Sequence, residues 1–172
     1  MSHPIAFVIW NIAFFVFILM HELGHAAMSR ILFKDKGWVI TMGTGRPIFT
    51  SKRLVINTWF FIGGKINYSV LAGKRYKHIL RAAGGILVNI VLAISIFVLV
   101  IHIRQYVQLY DFLPWWLIIL TIEIAFMVNI ISAVTAMIPI IYPFGVVKGM
   151  PSDGLWILRL IFNPSKYLYC IG

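Results

Sequence analysis

Three long apolar runs constrain this chain more than any other feature. The first extends from Ile5 to Ala27, about 23 residues, enough to cross a bilayer core at about 1.5 Å per residue. The second runs from Ala82 to Ile103 between Arg81 and Arg104, and the third from near Phe112 to about Val147. The third is too long for one span, and Pro139 and Pro143 are its expected helix exits. Of 172 residues, 61% are hydrophobic and only 12% charged, and the mean hydropathy is +0.93. A soluble domain of this size leaves too much surface in water to hide so many apolar side chains. The sequence therefore predicts an α-helical integral membrane protein with three core spans, at about residues 5–29, 82–103 and 114–138.

The net charge of +10 does not indicate nucleic acid, because of where the cations lie. Eleven of the fifteen basic residues, from Arg30 to Arg81, fall between the first two apolar runs, with only Asp35 against them. A basic segment flanked by spans reads as a cytoplasmic loop. That orientation puts the N-terminus outside and the Arg104–Asp111 loop outside. Lys148, Asp153, Arg159, Lys166 and the C-terminus then lie at the cytoplasmic side of a multi-pass cell-membrane protein. No Lys or Arg precedes the first run and no small-residue cleavage site follows it, so it reads as a retained span. The single cysteine, Cys170, excludes an intrachain disulfide.

The basic loop, about residues 38–72, is rich in β-branched and aromatic residues. Trp38–Met42, Pro47–Thr50, Leu54–Phe61 and Lys65–Leu71 read as strand segments, with Gly43-Thr44-Gly45 and Gly63-Gly64 as turns. A small antiparallel sheet at the cytoplasmic membrane face is expected. A short helix, about residues 153–163, should follow the third span.

The chemistry is concentrated at one end of the first span. His21-Glu22-Leu23-Gly24-His25 matches H-E-x-x-H, which chance would produce in roughly two of a thousand chains of this composition. The two histidines are one helical turn apart and can reach one zinc. Glu22 is offset by about 100° and can reach a water on that metal rather than the metal itself. Zinc lowers the pKa of its water to about 7, and the carboxylate then takes the proton as the water attacks a peptide carbonyl. The bland alternative is an interfacial pair of histidines with Glu22 paired to Arg30.

Such a zinc needs a third protein ligand. Counted at about 1.5 Å per residue, His21 and His25 lie roughly 3–9 Å inside the cytoplasmic end of their span. Asp153, just past the end of the third span, can fold back to that level; its competing role is to cap the helix over 155–162. Glu123 is about 22 Å from that end, and His3, His78 and His102 lie elsewhere. Asn89 is roughly 10 Å inside the second span, level with the histidines. Glu123 and Asn129 are expected to pair within the bundle.

Three pieces together resemble the site-2 protease family of intramembrane zinc metalloproteases, in a minimal three-span form of prokaryotic type. They are His21-Glu22-Leu23-Gly24-His25, Gly84-Gly85 with Asn89, and Pro139 through Pro151-Ser152-Asp153-Gly154. The resemblance implies a single membrane-embedded metalloprotease domain over residues 1–172, binding one Zn2+ through His21, His25 and Asp153. It implies Glu22 as catalytic base, and Asn89, with Gly84 and Gly85 of the same motif, holding substrate near the metal. The chain departs from the family where Gly-Gly replaces a common Gly-Pro, and where Thr135 and Ala136 stand in place of an expected asparagine.

The expected activity is hydrolysis of a peptide bond in a membrane-inserted helix or membrane-associated precursor peptide. Such a substrate must unwind, and an edge strand of the loop sheet can receive the extended segment. With no accessory domain, recognition falls to this core or to a regulatory membrane partner. The rival readings are a non-proteolytic metal-binding subunit of a maturation or export system, and a small transporter using Glu123. The intact Glu22 favours the enzyme, since a structural zinc needs no base beside its histidines.

Overall fold

The computed structural model describes residues 3–70, 72–106 and 115–163. Leu71, most of the expected loop after the second span with Asp111, and Lys166 and Cys170 lie outside them. Among the described residues the order is α1 (His3–Phe33), β1 (Val39–Thr50), β2 (Leu54–Asn67), α2 (Arg75–Tyr106), α3 (Trp115–Met137) and α4 (Asp153–Phe162).

Three of the helices, α1, α2 and α3, are long and apolar enough to cross a membrane. Their large apolar side chains turn outward rather than inward: Phe7, Ile12, Val91 and Ile94 are all more than half exposed. Lipid suits such a surface and water does not. The inward faces pack pairwise, around Ala13, Phe17 and Val128 with Phe14, Leu92 and Ile124 against them. Closer to the histidines, α1 and α2 touch backbone to backbone. A Cβ on Gly84 would lie 2.6 Å from the Gly24 carbonyl oxygen, so this crossing tolerates only glycine.

Two helix boundaries have local causes. α3 stops at Met137, two residues before Pro139, as the restriction on the residue preceding proline requires. α2 starts at Arg75, seven residues ahead of the apolar run, because its basic first turns find partners. Lys77 Nζ donates to the Leu32 carbonyl at 2.8 Å, near the C-terminal end of α1. Arg81 stacks on Tyr68 at 3.9 Å and on Phe33 at 4.7 Å, and donates to the Val70 carbonyl at 3.0 Å. These contacts tie the start of α2 to the end of α1 and to the segment after β2.

The loop between the first two spans forms a two-stranded sheet in which β1 and β2 pair antiparallel. The glycines expected to end strands lie inside them. Gly43, Gly45 and Gly63 have positive φ and bend the strands at register shifts, so pairing resumes past each of them. Ile40, Thr41 and Met42 consequently have partners on both sides: Ile66, Lys65 and Gly64 on one, Leu54, Val55 and Ile56 on the other. β2 packs along α1, where Gly64 faces Ile18 and Glu22.

Between α3 and α4 the chain makes a closed excursion. Ile141 bridges to Pro151, Tyr142 N–H donates to the Met150 carbonyl at 3.0 Å, and Gly149 N–H to the Tyr142 carbonyl at 2.9 Å. Ser152 closes it, with its hydroxyl donating to the Ile138 carbonyl at 2.6 Å and accepting from Leu155 N–H at 3.2 Å. Ser152, rather than Asp153, is therefore the N-cap of α4. A side chain on Gly154 would run into the Met137 carbonyl, so the glycine lets α4 start against the end of α3. The result is to carry Asp153 back to α1.

Candidate metal centre

Helical spacing brings His21 and His25 to one face of α1, with their rings edge to face at a centroid distance of 4.7 Å. Their Nε2 atoms are 3.1 Å apart. Asp153 Oδ2 lies 3.0 Å from His21 Nε2 and 3.2 Å from His25 Nε2. The three residues form a group that can hold a metal ion, although 132 residues separate the first from the last in sequence. The carboxylate is thus free of capping duty and turned to the imidazoles.

The triangle has the dimensions of a ligand set. Ligand atoms that each sit about 2.0–2.1 Å from one tetrahedral ion are roughly 3.3–3.4 Å apart, close to the three observed edges. The far side of His25 fits as well. Its Nδ1–H donates to the Arg81 carbonyl oxygen at 2.8 Å, which directs the Nε2 lone pair toward Asp153. Gly85 makes room for both rings: a Cβ there would lie 2.5 Å from His21 Nε2 and 2.6 Å from His25 Nε2. Burial pushes the Asp153 carboxyl up, but the His25 and His21 imidazoles beside it hold it well below the usual carboxylate range. The carboxylate is ionised at neutral pH.

Glu22 is 7% exposed and lines the same cavity as the triad, which encloses about 560 Å3. Among the described residues no Lys or Arg forms an ion pair with it, so the alternative pairing with Arg30 is not the arrangement seen. Residues 62–66 of β2 and the 140–151 excursion supply a further part of the wall, and they meet where Gly145 approaches the Ile62 carbonyl. Tyr142 reaches the cavity from this excursion. Burial, with Asp153 and Glu22 nearby, pushes its phenol up to about 12, so it is a hydrogen-bond donor at all ordinary pH.

Of the remaining sequence candidates, His78 borders this chamber, whereas Asn89, Gly84, Gly85, Asn129, Glu123 and His102 do not line it. The glycines face α1, and Asn89 stands behind His21 with Nδ2 3.2 Å from His21 Nδ1. Asn129 pairs within the bundle, donating Nδ2–H to the Asn89 carbonyl at 2.7 Å. Glu123 borders Val100 and Ile103 near the end of α2, and exposed His102 donates to the carbonyl of Val98 in its own helix. His78 is buried beside Arg81, where its Nδ1 accepts from the guanidinium at 3.0 Å.

Two contributors could not be read from residue type. The Arg81 carbonyl is a backbone group of a kind that every residue carries, and Tyr142 sits in a segment whose path only the fold defines. Compared with known proteins, the chain matches no family model, no curated protein and no solved structure.

Proposed function

We propose that this chain is an intramembrane zinc endopeptidase, as the resemblance to the site-2 protease family implies. The observation that carries the reading is the convergence of His21, His25 and Asp153 at 3.0–3.2 Å beside buried Glu22. Two imidazoles and one carboxylate are the donor set of a catalytic rather than a closed structural zinc site. Zinc held there supplies Lewis acidity toward a peptide carbonyl and makes a neighbouring water more acidic.

The chain's own groups do the rest. Glu22 takes a proton from the attacking water as the new C–O bond forms, and returns it to the leaving amine nitrogen as the C–N bond breaks. His25 is kept in one tautomer by the Arg81 carbonyl. Residues 62–66 of β2, on the cavity wall, are suited to hold an extended substrate segment by strand addition. The substrate is a membrane-inserted helix or a membrane-associated precursor peptide that unwinds locally. The eleven cations between the first two spans support a cell-membrane topology with the N-terminus outside and the site near the cytoplasmic face.

The test is co-expression with candidate single-span substrates, comparing the native chain with Glu22→Gln. The amide keeps the size of the side chain but takes no proton at neutral pH. Metal should remain bound while cleavage falls on the order of 10²–10⁴-fold. Cleavage by the variant at the native rate would transfer the reading to a non-proteolytic metal-binding subunit.

A further inference from the structure

His21 and His25 face the same problem on their far sides. An imidazole that ligates through Nε2 carries its proton on Nδ1, and in apolar surroundings that proton needs an acceptor. His25 has the Arg81 carbonyl at 2.8 Å. Among the described residues His21 has no such backbone carbonyl, and its Nδ1 meets the side-chain amide of Asn89, at 3.2 Å.

Asn89 is fully buried, and as it stands its Nδ2 faces His21 while its Oδ1 has no hydrogen-bond partner. A buried amide oxygen without a donor is costly and asks for an explanation. With Asn89 donating, His21 Nδ1 must be the acceptor, and the ring proton sits on Nε2 and points at Asp153 Oδ2, 3.0 Å away. That is the neutral Nε2–H tautomer of a metal-free His21. The two ends of an amide are isosteric. Turning Asn89 over puts Oδ1 where Nδ2 was, in position to accept Nδ1–H, and frees the Nε2 lone pair. Asn129, also fully buried, holds this point of α2 from α3 by donating to the Asn89 carbonyl at 2.7 Å.

The geometry points to Asn89 as the positioning residue of His21, accepting its Nδ1 proton when metal is bound, with Asn129 fixing Asn89 in place. This rests on the metal centre described above, not on the proteolytic reading. It gives Asn89 a task behind the ligand instead of on the substrate. It also assigns α3 a part in the centre, although α3 supplies no ligand.

The experiment is zinc affinity of the purified full chain in detergent, by chelator competition, for the native chain, Asn89→Leu, Asn89→Asp and His21→Ala. Asn89→Leu keeps the volume but removes the acceptor, and should weaken zinc 10–100-fold, the usual loss for such an outer partner. Asn89→Asp keeps an acceptor and cannot donate, so it should hold zinc within a few-fold of native. Native affinity in Asn89→Leu, with zinc lost in His21→Ala, would overturn the inference and leave the metal centre standing. An equal loss in both Asn89 variants would reduce Asn89 to packing and overturn it too. Absence of zinc binding by the native chain would remove the metal centre and this inference with it. Should Asn89→Leu fail to fold, ¹⁵N-histidine spectra of the zinc-loaded native chain decide. A slowly exchanging proton on His21 Nδ1 is expected, and a bare Nδ1 would overturn the inference.

Discussion

Two carboxylates in this molecule, Asp35 and Asp153, are held in opposite ways. Asp35, with no exposed surface, is ringed by neutral donors. Ser29 Oγ–H, Gly37 N–H, Ser69 N–H and Val70 N–H reach it at 3.2, 2.8, 3.1 and 3.3 Å, and the Ser69 hydroxyl donates as well. They come from the end of α1, the turn after it and the segment following β2, so the carboxylate fastens three pieces of chain. Asp153 instead meets two imidazole nitrogens that are themselves 3.1 Å apart, on the wall of a cavity. Each neutral imidazole has one proton, and the Arg81 carbonyl already takes that of His25. Lone pairs therefore converge with too few protons between them. A carboxylate met by enough neutral donors is a fastener, whereas one that meets other lone pairs is half of a cation site.

The sharpest way to break this contrast is to remove each carboxylate in turn. Asp153→Ala should lower metal affinity by more than about 100-fold, beyond the range for an outer partner, while moving metal-free stability by no more than about 1 kcal/mol. Chelator competition and thermal unfolding in detergent read the two quantities. Asp35→Ala should do the reverse. Each buried donor left without an acceptor costs about 1–3 kcal/mol, so stability should fall by at least about 2 kcal/mol while the folded fraction keeps its metal. Equal effects of the two substitutions on metal would erase the distinction.

Acid offers a second, gentler probe of the fastener. Burial pushes the Asp35 carboxyl up, but the Ser69 hydroxyl and the N–H groups of Gly37, Val70 and Ser69 hold it down at about 2, against 3.8 in the free residue. A depressed folded value means the ionised form is favoured by folding. Its contribution, about 2 kcal/mol, is fully present above about pH 4 and is lost as pH falls toward 2. Unfolding followed from pH 6 to pH 2.5 should show this decline in the native chain and a smaller one in Asp35→Asn. The smallest effect belongs to Ser152→Ala. It removes the N-cap of α4 at about 1 kcal/mol and should loosen metal only a few-fold, because Asp153 is the next residue. A loss of metal as large as that of Asp153→Ala would mean that the fold holds Asp153 by this single hydroxyl.

The same contrast explains what was legible in the sequence. The spacing of His21 and His25 is a property of one helix, so their convergence follows without knowing any other element. Asp153 was reachable by depth alone, since the end of α3 and the histidines share a level. That argument left open whether its carboxylate capped α4, and the adjacent Ser152 turns out to do so. Asn89 was legible as level with the histidines, but not as facing His21, because residue depth does not fix which side of α2 looks inward. The Asp35 cluster was not legible at all. Three of its donors are backbone N–H groups, which every sequence carries, and Ser69 joins it across 34 residues. Likewise, glycines in the β-rich loop signalled a break in regular pairing, but only the fold decides whether a break becomes a turn or a bend within a strand.

Zinc K-edge absorption on the purified chain, with elemental analysis of the same sample, tests the central claim most directly. The account predicts close to one zinc per chain, with two imidazole nitrogens and light oxygen ligands at about 2.0–2.2 Å, and loss of that signal in both His25→Ala and Asp153→Ala. A native chain without zinc, or one whose zinc survives both substitutions with its ligand shell unchanged, would contradict it.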